Sequence, residues 1–134
     1  MSEEQTHARI DLGSDHEIVI ARKAGRLIAQ HLGFSSTDQV LIATAISELA
    51  RNIVLHAGRG TIEITAENSR PGIVIVASDD GPGIPDVELA LRDGFSTGGG
   101  LGLGLPGARR ISDEFLVETR VGQGTSIVFR KYVP

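Results

Sequence analysis

The sequence predicts an α+β fold, a two-layer α/β sandwich whose mostly antiparallel sheet is covered by helices on one face. Two long helical periods stand first in the chain, strands follow as hairpins joined by short turns, and one further helix separates the two hairpins. At 134 residues the chain fits one domain, residues 1–134, around one core. Hydrophobic residues make up 40% of it but aromatic residues only 4%, with no tryptophan, so that core is expected to be aliphatic.

The first helix is predicted from about 15 to 32. Ser14 and Glu17 form a capping pair, Ile18, Ala21, Gly25, Ile28 and Leu32 recur three or four apart, and Gly33 supplies a stop. Ser36 and Gln39 repeat the capping signal, and Leu41, Ala45, Leu49 and Ile53 carry a second helix over roughly 37–57, ended by Gly58. In "TIEITAEN" the residues Ile62, Ile64 and Ala66 alternate with polar ones, residues 68–72 are turn formers, and "IVIVAS" is β-branched, which predicts a hairpin with a more buried second strand. Residues 86–92 suit one or two helical turns, 94–102 are glycine-rich, and 103–113 read as a helix with Arg109 and Arg110 outward. "FLVETRV", the turn "GQG" and "TSIVFRKYV" close the chain as a second hairpin. No strand is expected before the first helix.

Composition narrows the function. A net charge of −4 and an isoelectric point near 5.5 argue against a nucleic-acid binder, which needs a basic face to neutralise phosphates. Without cysteine there is neither a disulfide framework nor a thiolate zinc site, in keeping with a reducing compartment. The start, "MSEEQTHARIDLG", is polar and acidic, and no apolar run reaches membrane-spanning length, so a soluble cytoplasmic protein without membrane association is expected.

Chemistry concentrates in three stretches. In "SELARN", Glu48 and Asn52 lie four apart and so project from one helical face, where a carboxylate can accept a hydroxyl proton and an amide oxygen can ligate a hard cation such as Mg²⁺. A carboxylate and an amide on a solvated helix face are the plainer alternative, but Glu48 is flanked by Ala45, Leu49 and Ala50, and a carboxylate in such surroundings demands a purpose or a partner. "SDDGPGIPD" follows the buried strand: Asp-Gly-Pro-Gly is a turn sequence, yet an aspartate at the strand's last position, Asp79, also suits an exocyclic amine such as adenine's. The glycines at 81 and 83 would let a flat base approach the backbone. "FSTGGGLGLGLPGARR" is not a P-loop, because no Lys-Ser or Lys-Thr follows its glycines. Its amides could still form an anion-binding concavity at a helix N-terminus, and its alternation of Gly with Leu suits a lid that packs when closed better than a linker.

In order and spacing, "ELARN", "DDGPGI", "GGGLGLGLPGARR" and "GQGT" resemble the N box and glycine boxes of the GHKL ATP-binding superfamily, over nearly the whole chain. "TAISELARNIVLHAGRGTIEI" and "DGFSTGGGLGLGLPGARRISDEF" are similar to the switch serine kinases of the bacterial stressosome. The resemblance implies the Bergerat (GHKL) fold, ATP and Mg²⁺ as cofactors, Glu48 as the residue that polarises the nucleophile and Asn52 as the metal ligand. It implies that Asp79 binds the adenine amine, with Gly81, Gly83 and Ile84 in the turn beneath the base and Thr125 in the adenine water network. The lid, about 85–104, would meet the triphosphate through Gly98, Gly99, Gly100, Leu101, Gly102, Leu103 and Gly104. No lysine stands in these motifs, so transition-state charge would fall to Mg²⁺ and backbone amides, with Arg109 as a further candidate.

The function so implied is a serine/threonine protein kinase. Its substrates would be STAS-domain scaffold and antagonist proteins of a stressosome, and once released it would activate a phosphatase regulator by binding it. An anti-sigma factor that sequesters a sigma factor shares the nucleotide boxes but usually carries a less glycine-rich lid. A plain ATPase module, such as the catalytic part of a histidine kinase, would normally be joined to a phosphoacceptor region. His56, Asp80 and Arg110 are read as surface or capping residues.

Overall fold

The structure is a computed structural model that describes residues 6–84 and 105–134. Its elements are β1 (His7–Leu12), α1 (Asp15–Leu32), α2 (Ser36–His56), β2 (Gly60–Ala66), β3 (Gly72–Asp79), α3 (Leu105–Ile111), β4 (Glu114–Arg120) and β5 (Gly124–Tyr132). The strands form one antiparallel sheet in the order β1-β2-β3-β5-β4. The α+β sandwich is thus the fold observed. β1 is the element that the sequence reading lacks. Ala8, Ile10 and Leu12 turn inward on this edge strand while His7, Arg9 and Asp11 face water, an alternation of only six residues next to an acidic, polar start, which gains its meaning from pairing with β2.

Alternation along the strands sends Ile62 and Ile64 of β2, Ile73, Ile75 and Ala77 of β3, and Ile127 and Phe129 of β5 to the helical face. They meet Ile18 and Ile28 of α1 and Ile42, Ile46, Leu49 and Ile53 of α2 in an aliphatic core, as the composition requires. Gly25 sits where any side chain would run into Ile46, which lets α1 lie close to α2.

The helix ends follow local chemistry, with two differences from the expected caps. Ser14 Oγ bonds Glu17 Oε2 at 2.8 Å and Gly13 N donates to Glu17 Oε1 at 3.0 Å, so Glu17 reaches back one residue further than a capping box would and Ser14 caps no helical amide. The Ser14 hydroxyl, opposed by some burial and joined by the Gly13 amide, holds the Glu17 carboxyl below its usual range. At α2 the cap is Ser35, one residue before the expected Ser36: its Oγ accepts from Asp38 N at 3.1 Å while Gln39 Nε2 donates to Phe34 O at 2.9 Å. Gly33 takes a left-handed φ of 96° and ends α1 as expected. Within α3, Pro106 occupies the first turn, where its missing N–H costs nothing. The turns expected at 86–92, and residues 103 and 104 of the predicted third helix, lie outside the described residues.

Candidate nucleotide site

α2 turns one face to the core and leaves the opposite one accessible. Ser47, Leu49, Ala50 and Ile53 are buried, whereas Glu48 and Asn52 are half-buried along the flank of that face. Ser47 satisfies itself by donating to Ala43 O at 3.1 Å. The Glu48 side chain is 17% exposed, and its Oε1 accepts from Arg51 Nη1 at 2.8 Å. The carboxylate is thus paired with an exposed arginine of its own helix, an arrangement that a solvated helix face also accommodates. Arg51 was not singled out in the sequence, although its i,i+3 spacing from Glu48 was the available signal.

Asp79 ends β3, with Gly60 of β2 beside it on one side and Thr125 of β5 on the other. Its Oδ1 accepts from Gly81 N at 2.9 Å, an Asx turn that fixes the carboxylate, and no described residue bonds Oδ2. Glycines bring the surrounding chain this close. A Cβ on Gly60 would stand 2.8 Å from Ile53 Cγ2, and one on Gly81 would stand 2.5 Å from Ala57 Cβ. The C-terminal half of α2, which carries Asn52, is thereby packed over the Asp79 end of the sheet.

The turn after β3 is clamped to the β4–β5 hairpin. Gly122 N donates to Pro82 O at 2.8 Å and Ile84 N donates to Thr119 Oγ1 at 2.8 Å. Gly83 has φ 80°, and a Cβ there would lie 2.6 Å from Arg120 O, so this position admits only glycine without strain. Thr125 is buried, with Oγ1 3.0 Å from Thr119 Oγ1, which also lies 3.2 Å from Gly124 O. Thr119 has one hydroxyl proton to give. If it goes to Gly124 O, Thr125 donates to Thr119; if it goes to Thr125, the Thr125 proton is left for a ligand or water. Thr119 escaped the sequence reading; Thr119 and Thr125 pair across the turn, a symmetry legible once the hairpin is drawn.

A shallow, open depression of about 760 Å³ lies at this end of β3, β4 and β5, lined by Ser78, Asp79, Glu118, Thr119, Thr125 and Ser126 among others; Glu48, Asn52, Gly81, Gly83 and Ile84 do not line it. The structure thus brings Asp79, Gly81, Gly83, Ile84 and Thr125 together and packs the Asn52 half of α2 against them, with Glu48 one turn further along. Residues 98–104 and the rest of the expected lid, 85–104, lie outside the described residues. The carboxylate acceptor fixed at a strand end and the buried hydroxyl suit the exocyclic amine of a purine, whereas Gly81 and Gly83 are required by Ala57 and Arg120, which a Cβ would strike. No group of three or more His, Cys, Asp or Glu side chains among the described residues is placed to hold a metal ion.

Residues 37–134 match the histidine kinase-, DNA gyrase B-, and HSP90-like ATPase family. The chain belongs to this ATPase family. Serine/threonine-protein kinase RsbT of Bacillus subtilis (strain 168) is 51% identical over 122 residues, which cover 90% of this chain and 92% of that one. The anti-sigma F factor of Thermoanaerobacter sp. (strain X514) is 35% identical over 98 residues, 69% of this chain and 68% of that one. For the anti-sigma F factor of Geobacillus kaustophilus (strain HTA426) the identity is 26% over 136 residues, 96% and 92% of the two chains. The ATPase-family match spans every residue placed here in the candidate site and begins within the first turn of α2. No helix among the described residues is long and apolar enough to cross a membrane.

Proposed function

We propose that the protein is a Mg-ATP-dependent serine/threonine protein kinase of a cytoplasmic partner-switching circuit, formed by one domain over residues 1–134. The observation that carries this reading is the 51% identity with a serine/threonine-protein kinase across 90% of the chain. The anti-sigma factor alternative has weaker support, since those relatives are 26% to 36% identical.

In this reading Asp79 accepts the adenine amine through Oδ2, Gly81, Gly83 and Ile84 form the floor beneath the base, and Thr125 orders water around it. Gly98 to Gly104, with Leu101 and Leu103 between them, belong to a lid over 85–104 whose amides meet the phosphates. Asn52 holds Mg²⁺, which when bound offsets phosphate charge. Glu48 accepts the proton of the substrate's serine or threonine hydroxyl. The oxygen–phosphorus bond forms as the bond from the γ-phosphorus to its bridging oxygen breaks, and ADP leaves. The substrates proposed are STAS-domain scaffold and antagonist proteins. After phosphorylating them the kinase departs and activates a phosphatase regulator by binding it.

A binding assay offering the protein both a sigma factor and STAS-domain proteins separates the two readings. Retention of STAS-domain proteins supports the kinase; retention of the sigma factor alone overturns it.

A further inference from the structure

We infer that Arg51 is a catalytic cation for the transferred phosphoryl group, held ready on Glu48 until the acceptor hydroxyl arrives. This rests on the reading of Glu48 as the base. Arg51 Nη1 lies 2.8 Å from Glu48 Oε1, and the Arg51 side chain is 46% exposed while that of Glu48 is 17% exposed. A pair three residues apart on one helix, with its arginine nearly half exposed, adds little stability, so the fold does not depend on this contact. Its position matters more. A hydroxyl that gives its proton to Glu48 must come within roughly 2.6–3.2 Å of the carboxylate, which puts it within about 8 Å of the Arg51 guanidinium, a short side-chain swing away. The new phosphate ester forms on that same oxygen.

The chemistry favours an exchange of partners. While Glu48 is ionised it holds Arg51. As Glu48 takes the hydroxyl proton it becomes neutral and its grip on the guanidinium weakens, while the phosphoryl group gains a bond to the acceptor oxygen and becomes the strongest anion beside it. A guanidinium suits phosphate because its fork can donate two parallel hydrogen bonds. When ADP has left and Glu48 has given its proton to solvent, Arg51 returns to the carboxylate and the phosphorylated product is released. The face is open to a bulky acceptor: Leu41 and Leu55 stand seven residues before and after Glu48, on the same line of α2, and are 38% and 56% exposed.

The test compares Glu48→Gln, Arg51→Ala and the double variant in transfer from ATP to a STAS-domain substrate. It also measures how tightly each protein binds that substrate before and after phosphorylation, with thermal melts as a check on folding and Arg51→Lys as a second variant should alanine unfold the chain. Arg51→Ala is expected to lower kcat by about 10²-fold or more with ATP affinity unchanged. The double variant is expected to be slower than Glu48→Gln alone, and Arg51→Ala to weaken binding of the phosphorylated substrate about tenfold without affecting the unphosphorylated form. A double variant no slower than Glu48→Gln would make Arg51 only a positioning residue and overturn the proposal, as would unchanged binding of the phosphorylated form by Arg51→Ala. Full transfer by Glu48→Gln would instead remove the base, and the product-binding measurement would then judge Arg51 by itself.

Discussion

Thr119→Val removes one oxygen atom at nearly constant volume from the point where the β3 turn meets the closing hairpin. The Ile84 amide loses its acceptor at 2.8 Å, Thr125 loses its partner at 3.0 Å, and Gly124 O loses a donor at 3.2 Å. A typical net hydrogen bond is worth about 1 kcal/mol, and a half-buried amide left without a partner costs about 1–3 kcal/mol. These losses share one hydroxyl and overlap, so the expected destabilisation is about 2–3 kcal/mol. For a domain of this size that corresponds to a fall in Tm of roughly 6–12 °C. Thermal unfolding followed by circular dichroism reads it, with Thr119→Ser as the control that keeps the hydroxyl. The same change should weaken ATP binding, because Gly83 and Ile84 are no longer pinned. A melting temperature and ATP affinity for Thr119→Val equal to those of wild type would refute the claim that this hydroxyl ties the turn to the hairpin.

Other expectations follow from the same geometry. Asp79→Asn replaces an acceptor by a donor at one of the two positions of its head group, so ATP affinity should fall while GTP, with an oxygen in place of the amine, should lose less; calorimetric titration that finds ATP affinity unaltered removes Asp79 from the base site. Gly83→Ala must place a side chain at φ 80° against Arg120 O. It should cost about 1–2 kcal/mol in backbone conformation alone, and a melt matching wild type would show that the turn relaxes freely. Glu67 contributes to the pH dependence, as Glu17 does. Burial pushes its carboxyl up, but the Asn68 amide, 3.1 Å away, and Arg130, 2.9 Å away, outweigh burial and hold it below its usual value of 4.5. Its folded value is depressed, so the stability it adds is present above that usual value and lost as the pH falls through the folded one. Melts recorded from neutral pH into acid should show Glu67→Gln losing less stability than wild type, and parallel curves would contradict this.

Most of the layer structure was legible because the helices and both hairpins carry strong periods. What escaped depends on pairing. β1 holds three alternating apolar residues in a short stretch, and only the partner strand β2 turns Ala8, Ile10 and Leu12 toward the core. The α2 cap was placed one residue late because Ser35 and Ser36 are adjacent and both are good capping residues; the bond from Asp38 N chooses the first. Within the candidate site, the residues found in the sequence stand at motif positions, whereas those missed act through the fold. Gly60 and Gly124 look like ordinary turn glycines, yet the first admits Ile53 to the sheet end and the second lets β5 pass beside the Asp79 carbonyl. Thr119 likewise gains its place only when the hairpin closes.

The proposed activity is tested most directly by incubating the protein with ATP labelled at the γ-phosphate and a STAS-domain protein, alongside the Glu48→Ala variant. Label on a serine or threonine of the STAS-domain protein, lost in the variant while its ATP affinity persists, is the expected result. No label with wild type, or equal label with Glu48→Ala, would contradict it.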